Sequence, residues 1–156
     1  MLRQLASQRH HILIQLDDLT DAQLRSAVLP SGWTPLGLVR HLTLSDERYW
    51  FGVVMGGAPL DNWPEGANAD WSVGPDEAAS DLIDAYRAAV RRSDEVIAGL
   101  GLDDPPVRLE PWWSGAGLAF PDLRTVIMHV IVETATHAGH LDAVRELLDG
   151  HQHLVL

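Results

Sequence analysis

The 156-residue sequence contains no cysteine, which excludes disulfides, thiolate metal sites, iron–sulfur clusters and a cysteine nucleophile. Lysine is absent too, so all 11 basic residues are arginine, set against 22 Asp and Glu for a formal charge of −11. Nucleic-acid binding draws much of its affinity from clustered cations neutralising phosphates, so no DNA or RNA partner is expected. No apolar run approaches the roughly 18 to 20 residues of a membrane helix, and no membrane partner is expected. The opening Met1-Leu2-Arg3-Gln4-Leu5 enters a helical pattern without the apolar core or cleavage site of a signal peptide, which leads us to expect a cytoplasmic protein. What is present, 46% hydrophobic and 21% charged residues, suits a single domain over residues 1–156 with a sizeable core. With sulfur ligands gone, His, Asp and Glu are the only metal ligands to weigh, and the eight histidines become the residues of interest.

Hydrophobic spacing predicts four long helices. Leu2, Leu5, Ile12, Leu16 and Leu19 form the stripe of the first. A short capped turn follows at Thr20 to Leu24, and an irregular connection at Leu29 to Trp33. Thr34 as N-cap and Pro35 as first helical residue open the second helix, which Gly56-Gly57 stops after Met55. Residues 56–75 read as a long loop, a length that is often functional. Pro75-Asp76-Glu77 restarts the third helix, with Ala79, Leu82, Tyr86, Ala89, Ser93, Val96 and Leu100 as its stripe. A second loop at 101–121 holds four Pro, three Gly and the pair Trp112-Trp113. The last helix runs from about Asp122 to Leu148 and ends at Gly150. No strand pattern or repeat appears, so the fold class is an all-α four-helix bundle.

The chemistry falls on two of these helices. At α-helical spacing His41 shares a face with Leu38, Leu42, Ser45 and Tyr49. In the last helix the seam 126, 130, 133, 137, 140, 144 and 147 directs Glu133 and His137 inward, where side chains four apart converge. A buried carboxylate needs a pair, hydrogen bonds or a metal. Two His and one Glu form the ligand set of open catalytic metal sites. The other account is a buried Glu133–His137 ion pair with His41 as a satisfied core histidine. His140, one turn further, is a candidate catalytic acid or base, a cavity-wall residue hydrogen-bonded to a ligand, or a further ligand. His129 competes with Glu133. His10, His11, His151 and His153 are expected at the surface or in a frayed tail. Trp33, Trp112 and Trp113 lie where aromatics can roof a pocket, while Tyr49, Trp50 and Tyr86 are expected in the core. Asp142, Arg145, Glu146 and Asp149 read as a solvated face or a local ion-pair network.

The blocks Gly32-Trp33-Thr34-Pro35, Val39-Arg40-His41-Leu42 and Glu47-Arg48-Tyr49-Trp50, with His129 through Asp142 and the closing Arg145-Glu146-Leu147-Leu148-Asp149-Gly150, span nearly the whole chain. In combination they resemble the DinB-like (YfiT-like) superfamily, and within it the actinobacterial branch related to mycothiol-dependent enzymes. The resemblance implies a bundle of up-down-down-up connectivity with a single divalent metal. It also implies His41 as the ligand from the second helix and His137 as the last ligand. Where many superfamily members carry a middle His, this chain has Glu133, which is similar to the mycothiol-dependent maleylpyruvate isomerases. Thr136 stands where that branch usually has Arg.

The function expected from this resemblance is S-transfer or thiol-assisted isomerisation of a small electrophile, with mycothiol or a similar thiol as cosubstrate. Zinc leads the candidate metals, with nickel, iron, manganese and cobalt also suited to the donors. The missing cysteine is compatible with a thiol arriving from outside. A hydrolase using metal-activated water, with His140 or Asp142 carrying protons, is the enzymatic alternative. A non-catalytic metal- or ligand-binding stress protein is the other, and a homodimer is left open.

Overall fold

The computed structural model describes residues 1–153, and among these there are helices and turns but no strand. The expected all-α bundle is found. Its elements are α1 (Leu2–Leu16), α2 (Asp21–Leu24), α3 (Pro35–His41) continued by a wide-turn π-helical segment (Leu42–Met55), a 3₁₀ turn (Ala69–Trp71), α4 (Ala79–Ala98), α5 (Trp112–Gly115) and α6 (Leu123–Asp149). α1 packs along α6, α4 packs along the π-helical segment, and that segment also packs on α6.

Local chemistry explains the helix ends. Thr34 accepts a hydrogen bond from the Gly37 amide and Pro35 follows at the first helical position, while Asp122 caps α6 by accepting from Thr125 N. Gly150 closes α6 at φ +78°, the left-handed conformation that favours glycine. α4 begins at Ala79, later than Pro75. Glu77 is spent on a turn instead, accepting from Gly74 N at 2.7 Å and pairing with Arg40 at 2.7 Å.

The second helix departs from the α-helical expectation. Beyond His41 its hydrogen bonds reach five residues back, as from Gly56 N to Phe51 O at 2.9 Å, giving more residues per turn than the roughly 3.6 of an α-helix. Burial therefore falls on Leu42, Asp46, Glu47, Trp50, Phe51, Val54 and Met55. Ser45 and Tyr49, expected on the inner face, are half-buried.

Two apolar clusters make up the core. One joins Leu5, Trp50, Phe51, Trp113, Phe120, Val126 and Val130, and the other joins Ile12, Leu16, Leu38, Leu42, Tyr86, Ala138 and Leu141. In sequence order Arg9, Glu47, Ser93 and Thr134 each fall between the two sets, so a polar layer crosses the bundle. Arg9 donates Nε to Glu47 Oε1 at 2.7 Å and Nη2 to Glu47 Oε2 at 2.6 Å, with Nη1 on Asp94 at 2.7 Å. This fork ties α1, the π-helical segment and α4 together. Asp46 accepts from Thr134 Oγ1 at 3.0 Å, and burial holds its carboxyl well above the ordinary aspartate range.

Several smaller expectations resolve at the same level. Trp50 and Tyr86 are core residues, whereas Tyr49 stays half-buried against Trp50 and Trp63. Arg145 pairs with Asp149 at 2.9 Å, as the ion-pair reading expects, but does not lie on a solvated face. It is buried and donates to the Gln15 and Asp17 carbonyls, satisfying the end of α1 as a cation at a helix C-terminus should. His11 Nε2 donates to Asp142 Oδ1 at 2.8 Å, and the His153 ring stacks on His11 at 3.9 Å, so this part of the tail returns to α1.

Candidate functional site

The buried line of α6 runs through Leu123, Val126, Ile127, Val130, Thr134, Ala138, Leu141, Val144 and Arg145. The expected seam is thus displaced by one residue along its middle, and Leu147 is exposed. Glu133 and His137 lie on the flank of that line. The His137 side chain is 15% exposed and the Glu133 side chain 43%, so Glu133 is not the buried carboxylate that the spacing suggested. The deeply buried carboxylates are Asp46 and Glu47, neither of which α-helical periodicity singled out.

His41, at the end of α3, meets His137 edge to face with ring centroids 5.1 Å apart. Burial, reinforced by His41 and His140, pushes the His137 imidazole down to about 4, so at neutral pH it is uncharged and offers a lone pair. His41 Nδ1 donates to Asp70 Oδ2 at 2.7 Å, and Ser45 Oγ donates to the same oxygen at 3.2 Å. With the hydrogen directed to Asp70, Nε2 is the nitrogen of His41 left for a ligand. Glu133 Oε2 lies 4.0 Å from His137 Nε2.

A roof over this pair comes from the first long loop. Trp71 stacks on His41 with centroids 4.2 Å apart and planes 18° from parallel, and reaches His137 at 5.5 Å. Gly37 is what lets the loop down. A Cβ built there would stand 2.5 Å from the Trp71 carbonyl oxygen, closer than side chains approach backbone. Trp71 also lines a cleft of about 670 Å³ together with Trp33, Asn68 and neighbouring loop residues. Of the tryptophans expected to roof a pocket, Trp33 lines this cleft, Trp113 is buried against Trp50 and Phe120, and Trp112 is exposed.

The other candidates take distinct places. His140 is exposed, with its ring 6.2 Å from His137. His129 sits against Trp50 and Phe120 at 4.5 and 5.0 Å, and burial lowers its pKa. Thr136 turns its hydroxyl onto the Val132 carbonyl at 2.8 Å. Sequence reasoning did not find Asp70 and Trp71. The available signal was Gly37, a glycine inside an apolar helical stretch, which usually has a packing reason.

Among the described residues no three His, Asp or Glu side chains stand together as an assembled cation site. The donor chemistry nevertheless fits a divalent metal: an uncharged imidazole, a second imidazole with its tautomer set by a carboxylate, and a carboxylate one helical turn from the first. No helix is long and apolar enough to cross a membrane among the described residues. Comparison with curated proteins and with solved structures gave no match. The family model for mycothiol-S-transferase, however, matches residues 1–150, and the chain belongs to that family.

Proposed function

We propose that this protein transfers the sulfur of mycothiol, or of a closely similar thiol, to a small electrophile at the His41–His137 site. Family membership supports the reaction class, and the roofed imidazole pair is the observation that carries its location. His41, Glu133 and His137 would hold one divalent cation, zinc being the first candidate. Such an ion lowers the pKa of a nearby thiol, so that thiolate exists at neutral pH.

The chain's own groups do the rest. Asp70 keeps the Nδ1 hydrogen of His41 engaged and so presents Nε2. Burial keeps His137 unprotonated and available as a donor. Trp71 stacks over the pair, whose His41 and His137 side chains are 16% and 15% exposed, and partial burial strengthens local electrostatics. In the transfer, the sulfur lone pair forms the bond to the electrophilic carbon and the leaving group departs with its bonding pair. The thiol proton passes to solvent, and exposed His140 stands where it can carry it. Thr136 places no cation on the exposed face of α6, so an anionic electrophile gains no partner there.

The test is direct. Metal-loaded protein is incubated with mycothiol and monochlorobimane, and adduct fluorescence is followed beside His41→Ala. Turnover at least 10-fold above that variant is expected with one or more of zinc, nickel, iron, manganese and cobalt. Equal rates with all five would refute the proposal. Metal content of His41→Ala, Glu133→Ala and His137→Ala should each fall, and unchanged stoichiometry in all three would show that the ion sits elsewhere.

A further inference from the structure

The outward face of α6 is not built as a solvent face. A helix on the surface of a soluble bundle ordinarily turns charged and polar side chains outward, opposite its buried stripe. Between Arg124 and Glu146 the exposed residues of α6 are Met128, Val132, Thr136, Gly139, His140 and Ala143, and none carries a carboxylate or guanidinium, in a chain of which 21% is charged. Met128 and Val132 are 49% and 57% exposed, and Leu147 continues their line at 62%. Even the Thr136 hydroxyl is spent on the Val132 carbonyl, at 2.8 Å. Glu133 and Asp142, both half-buried, stand on the two flanks of this strip.

Gly139 is an independent sign. Glycine inside a helix is destabilising relative to alanine, and one found there usually has a packing reason. A Cβ built on Gly139 meets nothing within 4 Å, so no contact among the described residues supplies that reason. The notch opens outward, and the strip itself holds what would fill it. A two-fold axis perpendicular to α6, passing between Ala135 and Thr136, sets Val132 of one copy opposite Gly139 of a second and Met128 opposite Ala143, large against small at each step. The same operation brings Arg124 to Glu146 and Leu147 at the far end. Arg124 Nη2 already pairs with Asp103 at 2.7 Å, and Glu146 Oε1 accepts from Gln152 at 2.8 Å, which leaves further guanidinium N–H groups and the other carboxylate oxygen for a pair between copies. A parallel arrangement would instead set Arg124 against Arg124 and Glu146 against Glu146.

We infer that the outward face of α6 pairs, antiparallel, with the same face of a second copy of this chain. Two chains of charge −11 repel one another over most of their surfaces, and this strip is where they can meet without opposing carboxylates. A second copy also presents the large and small positions in the matching order and the charges at the matching ends. From Met128 to Leu147 the strip is roughly 30 Å long and about 10 Å wide at ordinary helix dimensions, a footprint of roughly 300 Å² per copy. Standard interfaces bury about 800 Å² per partner, so the dimer is weak and reversible. The pairing does not depend on the thiol-transfer proposal.

Sedimentation equilibrium of the full chain is the test. A monomer–dimer equilibrium is expected, with a dissociation constant between about 10 and 500 µM. Val132→Glu, at an exposed position, should weaken it about 10-fold or more. Gly139→Leu fills the notch and should weaken the dimer by a similar factor while raising the melting temperature of the dilute monomer, because leucine is the better helix former; a merely structural glycine would not move the two readouts in opposite directions. Arg124→Glu and Glu146→Arg should each weaken the dimer, and the two together should restore it to within about threefold of the parent. A chain that stays monomeric at about 1 mM, or a dimer whose constant neither Val132→Glu nor Gly139→Leu moves, would overturn the inference. A double charge variant no better than either single one would overturn the antiparallel register.

Discussion

Gly37→Ala separates the stability of the bundle from the integrity of its site. On helix propensity alone the substitution should stabilise α3 by about 0.5–1 kcal/mol. The added methyl would stand 2.5 Å from the Trp71 carbonyl oxygen and 3.2 Å from Thr34 Oγ1. Ordinary contact begins at about 3.4 Å, so the loop must retreat by about 0.9 Å. The same movement applied to the neighbouring Asp70 would stretch its 2.7 Å bond to His41 to about 3.6 Å, past a useful hydrogen bond. Global stability by urea denaturation should thus stay within about 1 kcal/mol of the parent. Zinc affinity by calorimetric titration should fall 10- to 100-fold, the usual cost of removing a partner that orients a histidine ligand. Nitrogen chemical shifts of His41 in the metal-free protein should show loss of the single Nδ1–H tautomer. A Gly37→Ala protein with parental zinc affinity and an unchanged His41 tautomer would refute the claim that the loop sets the site.

Three further outcomes test the fold. Arg9→Ala leaves the Glu47 carboxylate buried without its fork and should cost about 3–5 kcal/mol, whereas the paired Arg9→Met and Glu47→Leu replacement should recover most of that loss in denaturant midpoints; a double variant no better than Arg9→Ala would contradict the polar-layer account. Asp46 carries a raised folded-state pKa, so the unfolded chain ionises it first and stability declines as pH rises from the ordinary aspartate value through the raised one. Asp46→Asn should match the parent near pH 4 and exceed it at pH 7 by on the order of 1 kcal/mol or more in thermal melts, and a gain at pH 4 only would reverse the sign of the argument. Gly150→Ala places a Cβ on a residue at φ +78° and should lower stability by about 1 kcal/mol, with amide exchange in the last turn of α6 as the local readout.

Three helix boundaries were legible because they rest on local chemistry: Thr34-Pro35 at one start, Asp122 at another, Gly150 at the last end; the start of α4 was not, because Glu77 is drawn into a turn with Gly74 and Arg40. The inner faces were less so. On α6 the expected and observed lines share Val126, Val130 and Val144, but between them the core takes Thr134 and Ala138, residues of weak hydrophobic signal. Thr134 is buried because its hydroxyl binds Asp46 and the Val130 carbonyl, a reason that exists only once the helices meet. The second helix misled for a different cause. Its change of pitch beyond His41 draws Asp46 and Glu47 inward, and no residue pattern with a fixed period can show that. The rings of His41 and His137, both picked out by helical spacing, stand 5.1 Å apart, while Asp70 and Trp71 required a loop whose path depends on a missing side chain at Gly37.

Trp71 is a party wall. Its indole stacks on His41 and the residue also lines the cleft, so its position enters the free energy of occupancy of both. An occupant of the cleft that holds the indole against His41 orders the imidazole site, and thermodynamic linkage then requires a filled imidazole site to tighten the cleft by the same factor. Each compartment would report the state of the other through one shared side chain, and the coupling would vanish in a variant lacking that indole.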